Sequence, residues 1–176
     1  MNRRTLIAGG TGLAAVAALG AWALRPPAEV PRDGDMAKLR PAEPENALPP
    51  GAVPLSPRLT VVNFRATWCA PCRHEMPSLA RAQDALAPEG IGVVLVASDR
   101  SPRSAIEGFL AEVGADGLPN VIDADGTLRA AAGAAGLPTT LLLGPDGPEL
   151  ARLPSAAEWD GTDALATLRA LADTVS

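Results

Sequence analysis

The stretch Val62-Asn63-Phe64-Arg65-Ala66-Thr67-Trp68-Cys69-Ala70-Pro71-Cys72-Arg73-His74-Glu75-Met76-Pro77 decides the fold. Its upstream side, Leu59 to Phe64, is short and rich in β-branched residues and breaks at Ala66-Thr67, which predicts a buried strand. A helix follows. Pro71 suits a first helical turn, where a missing N–H costs nothing. Met76, Leu79 and Leu86 supply an apolar face that stops at Pro88-Glu89-Gly90. Pro77 falls inside this helix and is expected to kink it. The cysteine pair therefore lies where a strand ends and a helix begins, and there backbone N–H groups and the positive end of the helix dipole favour a thiolate. An ordinary thiol has a pKa of about 8.5, whereas a cysteine in this position falls to about 7 or below. On this reading Cys69 is the nucleophile, and Cys72, one turn in and facing the core, attacks the resulting mixed disulfide.

Competing readings of the pair are weaker. A structural disulfide across two residues gains little closure entropy. A c-type haem attachment needs histidine directly after the second cysteine, but Arg73 intervenes and His74 is one place late. Metal binding would have only Cys69, Cys72 and His74, one ligand short of a closed zinc site, so no metal is expected. His74 is expected on the helix surface.

Downstream, Val93-Val94-Leu95-Val96-Ala97 is apolar at every position, as in a strand covered on both faces of a parallel sheet. Ser104 and Glu107 have capping-box spacing, and Ile106, Phe109, Leu110 and Val113 give an amphipathic helix. A short strand at Asn120 to Ile122 and an Ala-rich helix from Thr127 to about Ala135 come next. Leu141 to Leu143, the Gly-Pro-Asp-Gly turn at Gly144 to Gly147 and Glu149 to Leu153 form a hairpin. A last helix starts near Asp160 to Asp163. The alternation predicts an α/β fold, a central mixed β-sheet flanked by helices.

The 176-residue chain suits one folded domain. It has 35 alanines, no tyrosine and only five phenylalanine or tryptophan residues, so the core must be Leu, Val and Ala. Fifteen basic against twenty acidic residues give a net charge of −5, which argues against a nucleic-acid partner.

Residues 58–176 are the expected domain. Residues 1–25 read as a signal anchor or signal peptide: Arg3 and Arg4 precede an uncharged run from Thr5 to Leu24, which as a helix spans about 30 Å, the thickness of the hydrocarbon layer. The paired arginines place the N-terminus in the cytoplasm and the domain outside it. An uncleaved transmembrane helix is the expectation. Removal at Ala21-Trp22-Ala23, or export through the twin-arginine-like Asn2-Arg3-Arg4-Thr5-Leu6-Ile7, is the alternative. Residues 26–57 hold nine of the chain's 18 prolines and read as a flexible tether, with Pro49, Pro50, Pro54 and Pro57 the residues that could pack on the domain edge.

Strand, CxxC, kinked helix and the late Gly136-Leu137-Pro138-Thr139-Thr140 together resemble the thioredoxin superfamily. The strand and cysteine motif, and Ala157-Glu158-Trp159 before the last helix, are similar to its exported TlpA-like branch. The resemblance implies a thioredoxin-like fold, a redox-active Cys69–Cys72 disulfide, a cis bond before Pro138 and Trp68 covering the cysteines. It implies that Trp68, Ala70, Pro71 and Leu137 border the bound partner, and that no cofactor is needed. Cytoplasmic thioredoxins carry a proton-transferring Asp in the central strand; Asn63 stands there and cannot titrate. In the TlpA-like branch a carboxylate just after the next strand can serve, which makes Asp99 the candidate for proton transfer at Cys72. Two departures stand out: Arg65 replaces a common Trp, and the N-terminal β-hairpin is shortened to Pro49 to Pro57.

The resulting expectation is a thiol:disulfide reductase on the periplasmic side of the bacterial inner membrane, or soluble there if cleaved. It would act on exported disulfide-containing proteins, with apocytochromes or copper-delivery proteins implied by the resemblance, and be re-reduced by a membrane thiol electron donor. An oxidant or isomerase is one alternative, because CxxC potentials span about −120 to −270 mV; a non-enzymatic thioredoxin-fold assembly or copper-chaperone module is the other.

Overall fold

A computed structural model describes residues 34–43 and 45–175. The expected membrane helix and the first part of the expected tether lie outside them. Among the described residues no helix is long and apolar enough to cross a membrane.

Six strands form one mixed sheet in the order β1-β6-β5-β2-β3-β4. They are β1 (Arg40–Pro41), β2 (Leu59–Arg65), β3 (Ile91–Ala97), β4 (Asn120–Ile122), β5 (Thr139–Leu143) and β6 (Glu149–Leu153). β2 runs parallel to β3, and β3 to β4, while β5, β6 and β1 add antiparallel pairs. Among the described residues, four α-helices flank the sheet: α1 (Ala70–Leu86), α2 (Arg103–Glu112), α3 (Thr127–Ala131) and α4 (Thr162–Thr174). This is the thioredoxin-like α/β architecture.

Every residue of β2 is buried, as expected of a central strand covered on both faces. The period of two sorts its side chains. Leu59 and Val61 join the cluster that contains Met76 and Leu79 of α1, Phe109 of α2 and Leu168 of α4. Val62 and Phe64 join Val94, Val96, Leu141 and Leu143 on the other side. Asn63 and Arg65 continue the first row, which places polar side chains under the helix that carries the cysteines.

Three local expectations are corrected. α2 starts from Pro102, whose carbonyl accepts from Ala105 and Ile106 N–H; Ser104 lies inside the helix and makes no cap, because the proline's fixed φ sets the helix start two residues earlier. α3 ends at Ala131 rather than near Ala135, where Gly133 takes φ +61° and turns the chain.

The third concerns the tether. Residues 34–41 are packed on the domain instead of hanging free: a 3₁₀ turn, Gly34–Lys38, precedes β1, which pairs with β6 through Arg40↔Arg152 and Pro41↔Ala151. Met36, Leu39 and Val53 are buried, and each side chain so removed from water contributes about 1.5–3 kcal/mol. Arg152 adds ion pairs to Glu43 at 2.9 Å and Glu149 at 2.5 Å. Three apolar residues scattered among prolines and charges have no period, so composition hides them. Residues 49–57, expected to hold a shortened hairpin, form no strand; β1 pairs along the β6 edge of the sheet.

Candidate active site

Cys69 is the N-cap of α1, with φ −83° and ψ 105°, and its sulfur accepts the backbone N–H of Cys72 at 3.3 Å. Extended backbone at this position lets the N-cap side chain turn back over the free N–H groups of the first turn; here the accepting atom is sulfur. Cys69 and Cys72 form a disulfide. Cys72 is fully buried and Cys69 is 5% exposed. Ala66 and the two cysteines make a small buried cluster against which Leu137 packs. The Leu137–Pro138 peptide bond is cis and Pro138 is buried, so the loop entering β5 reaches the cysteine pair through Leu137. Ala70, Pro71 and His74 are exposed around the first turn of α1.

Trp68, expected to cover the cysteines, keeps 71% of its surface in solvent. It lines a cleft with Ser98, Asp99, Arg100, Ser101 and Arg129. Leu137, rather than the indole, closes the cluster around the pair.

Asp99 lies where expected, just after β3, but its oxygens are committed elsewhere. Oδ2 accepts the Thr67 N–H at 2.7 Å and Oδ1 the Ser101 N–H at 2.8 Å. Burial pushes its pKa up, but the backbone N–H groups of Thr67 and Ser101 and both hydroxyls outweigh this and hold it below the ordinary carboxylate range. A carboxylate kept ionised and doubly bound joins two loops and is poorly suited to exchanging a proton at neutral pH.

Glu75 carries the property that was sought at Asp99. It stands three residues after Cys72 on α1 and is 2% exposed. Its Oε1 accepts from Asn63 Nδ2 at 2.8 Å, and its Oε2 accepts from Trp159 Nε1 at 3.0 Å and Ala157 N at 3.2 Å. Burial raises its pKa to about 7 against the pull of these three donors, and the Glu158 charge adds to the rise. Sequence reasoning passed over it although a signal was there: Cys72, Glu75, Met76 and Leu79 share one helix face, so a charged residue sits within an inward-facing row. Trp159, fully buried, is held by this acid.

Arg65 is fully buried beneath the same turn. Its Nη2 donates to Asn120 Oδ1 at 2.7 Å, and its Nε and Nη1 have no hydrogen-bond partner among the described residues. The Phe109 ring faces it at 5.2 Å and also receives Arg73 of α1 at 4.8 Å, so cation–π contact replaces hydrogen bonding. Burial lowers its pKa to about 10, opposed by the charge of Asp99.

Central strand, helix-start CxxC and cis-proline loop define a thioredoxin-fold protein of the CxxC type. The chain belongs to the Redoxin family, whose model matches residues 51–152. It is 34% identical over 86 residues to the thiol-disulfide oxidoreductase ResA of Bacillus subtilis, a match covering 49% of this chain and 47% of that protein. It is 35% identical over 96 residues to the thiol:disulfide interchange protein HelX of Rhodobacter capsulatus, covering 54% of this chain and 52% of that one. The chain thus spans about half the length of the curated relatives it matches. Among solved structures it is similar to a Chlorobium tepidum protein provisionally assigned as a thiol:disulfide interchange protein, DsbE. That match has a TM-score of 0.59 and 26% identity, and covers 75% of this chain and 97% of the other.

Proposed function

We propose that this chain is an exported thiol:disulfide oxidoreductase that reduces disulfides in other proteins. The observation that carries the reading is the Cys69–Cys72 pair at the start of α1, with the sulfur of Cys69 on a helix N–H. In the dithiol form, that N–H and the helix dipole stabilise a thiolate at Cys69. This thiolate attacks one sulfur of the partner's disulfide, forming a Cys69–partner disulfide and releasing the first partner thiolate. Cys72 then gives up its proton and attacks Cys69 Sγ, which closes the Cys69–Cys72 disulfide and expels the second partner thiolate. Two electrons pass to the partner. Glu75, one turn further along α1 and with a pKa near neutrality, takes the proton from Cys72; Asp99 holds Thr67 and Ser101.

Leu137 and cis-Pro138 border the bound partner segment, together with Trp68, Ala70 and Pro71. A membrane thiol donor returns the pair to the dithiol. The targets are disulfides of exported proteins, apocytochromes or copper-delivery proteins among them, met on the periplasmic side of the inner membrane. Residues 1–25 are the anchor or the export signal.

The test is capture. Cys72→Ser leaves Cys69 able to attack and nothing to resolve the adduct, so it accumulates disulfide-linked partners that reductant releases, while Cys69→Ser accumulates none. Failure of Cys72→Ser to accumulate any cysteine-linked protein contradicts the reading.

A further inference from the structure

The polar chain beneath α1 is asymmetric at Asn63. This side chain is fully buried in β2, and its Nδ2 donates both to Glu75 Oε1 at 2.8 Å and to Thr140 Oγ1 at 2.9 Å. Its Oδ1 has no hydrogen-bond partner among the described residues. A buried carbonyl left without a donor is costly. Turning the amide over costs almost no space, because oxygen and NH₂ are close in size, so the neighbours' chemistry chooses the orientation. Ionised Glu75 only accepts, and therefore requires the amide N–H.

A protonated Glu75 reverses the requirement. Its Oε2 already receives Trp159 Nε1 and Ala157 N, donors that can never accept, so the proton belongs on Oε1. That O–H points at Asn63, and Nδ2 would meet it donor to donor. Asn63 is the neighbour that can answer as an acceptor. Thr140 lies directly across from it in the β2–β5 register, and its hydroxyl can donate as well as accept.

We infer that Asn63 is a positioning residue whose amide turns over when Glu75 takes a proton, handing the state of the α1 acid to Thr140, two residues beyond cis-Pro138. With Glu75 ionised, Nδ2 donates to Glu75 and Thr140. With Glu75 protonated, Oδ1 accepts from Glu75 Oε1–H and from the Thr140 hydroxyl, which rotates to donate. The proton stays on Glu75 throughout; only the direction of the two hydrogen bonds reverses. Besides Cys72, which titrates on α1 when reduced, the charged group acting on Glu75 among the described residues is Glu158 in the loop before α4. Both states of the acid are populated near neutral pH, since burial brings its pKa to about 7. The inference rests on the role given to Glu75 above and assigns how that acid is accommodated both with and without its proton.

The test uses the full chain in detergent micelles, isotopically labelled, in its disulfide form. Cross-peaks between the Asn63 side-chain amide protons and the Thr140 methyl are expected well above the Glu75 midpoint. They are lost well below it, with the same midpoint as the Glu75 carboxyl carbon. In Glu75→Gln, which can present NH₂ to Asn63 at every pH, the cross-peaks are absent throughout. Cross-peaks that persist unchanged while Glu75 titrates, or a Glu75 that stays ionised across the neutral range, overturn the inference. The measurement needs no turnover, so an inactive protein would defeat the oxidoreductase reading without altering this outcome.

Discussion

Cys72 and Glu75 lie three residues apart on one buried face of α1, and the carboxyl of Glu75 is held by three N–H donors from β2 and the segment before α4. In the proposed mechanism this carboxyl, with a pKa raised to about 7, takes the proton of Cys72 one helical turn away. The expected outcome for Glu75→Gln is loss of the inflection near pH 7 in the rate of disulfide exchange. The resolving step slows by about 10²-fold, the low end of general-base contributions. Stopped-flow kinetics across the neutral range read both.

The same carboxyl sets a pH dependence of stability. Folded Glu75 keeps its proton up to about 7, while in the unfolded chain it ionises at its ordinary 4.5. Between these values the folded state binds more protons, so stability falls as pH rises through that window, by up to about 3 kcal/mol. Urea denaturation of the oxidised protein on either side of the window measures the fall, and Glu75→Gln is expected to flatten it.

Asp99 behaves in the opposite sense. Its pKa is depressed, so its contribution is present above the unfolded carboxylate value and is lost as pH falls through the folded one. Asp99→Asn is expected to cost about 1–3 kcal/mol by leaving the Thr67 or Ser101 N–H poorly paired. The inflection near pH 7 stays in place. Denaturation curves and pH–rate profiles of the one variant test the two halves of this statement separately.

Met36 shows that the segment before β2 belongs to the domain. It is 1% exposed and joins the main core cluster. Met36→Ala is expected to lower stability by about 2–5 kcal/mol, as for buried large-to-small changes generally. A free tether would give no change in the thermal or urea midpoint.

Much of this was legible in the chain itself. β2, β3 and β4, the hairpin and α1 follow from apolar runs, turn residues and Pro71, because each signal is local. The cysteine pair was legible because its spacing and its place at a helix start carry the chemistry together. Glu75 was not, since an acid in a helix ordinarily faces water; its burial depends on Asn63, Trp159 and Ala157, which come from distant parts of the chain. Asp99 drew attention by position alone, and position says nothing of the two N–H groups that occupy its oxygens. The buried setting of Arg65 was hidden for a similar reason: it depends on Phe109, 44 places further on. The packing of Met36 and Leu39 needed these residues to meet a core built by other segments.

The central claim is that Cys69 and Cys72 interconvert as dithiol and disulfide at a potential useful for exchange with other proteins. Equilibrating the oxidised protein in glutathione buffers of graded ratio, then trapping free thiols with a mass tag, tests it directly. The account predicts one reversible transition that adds two tags together, following a two-electron curve, with a midpoint between about −120 and −270 mV. A pair that takes up tags one at a time, or never opens across the whole range, would contradict it.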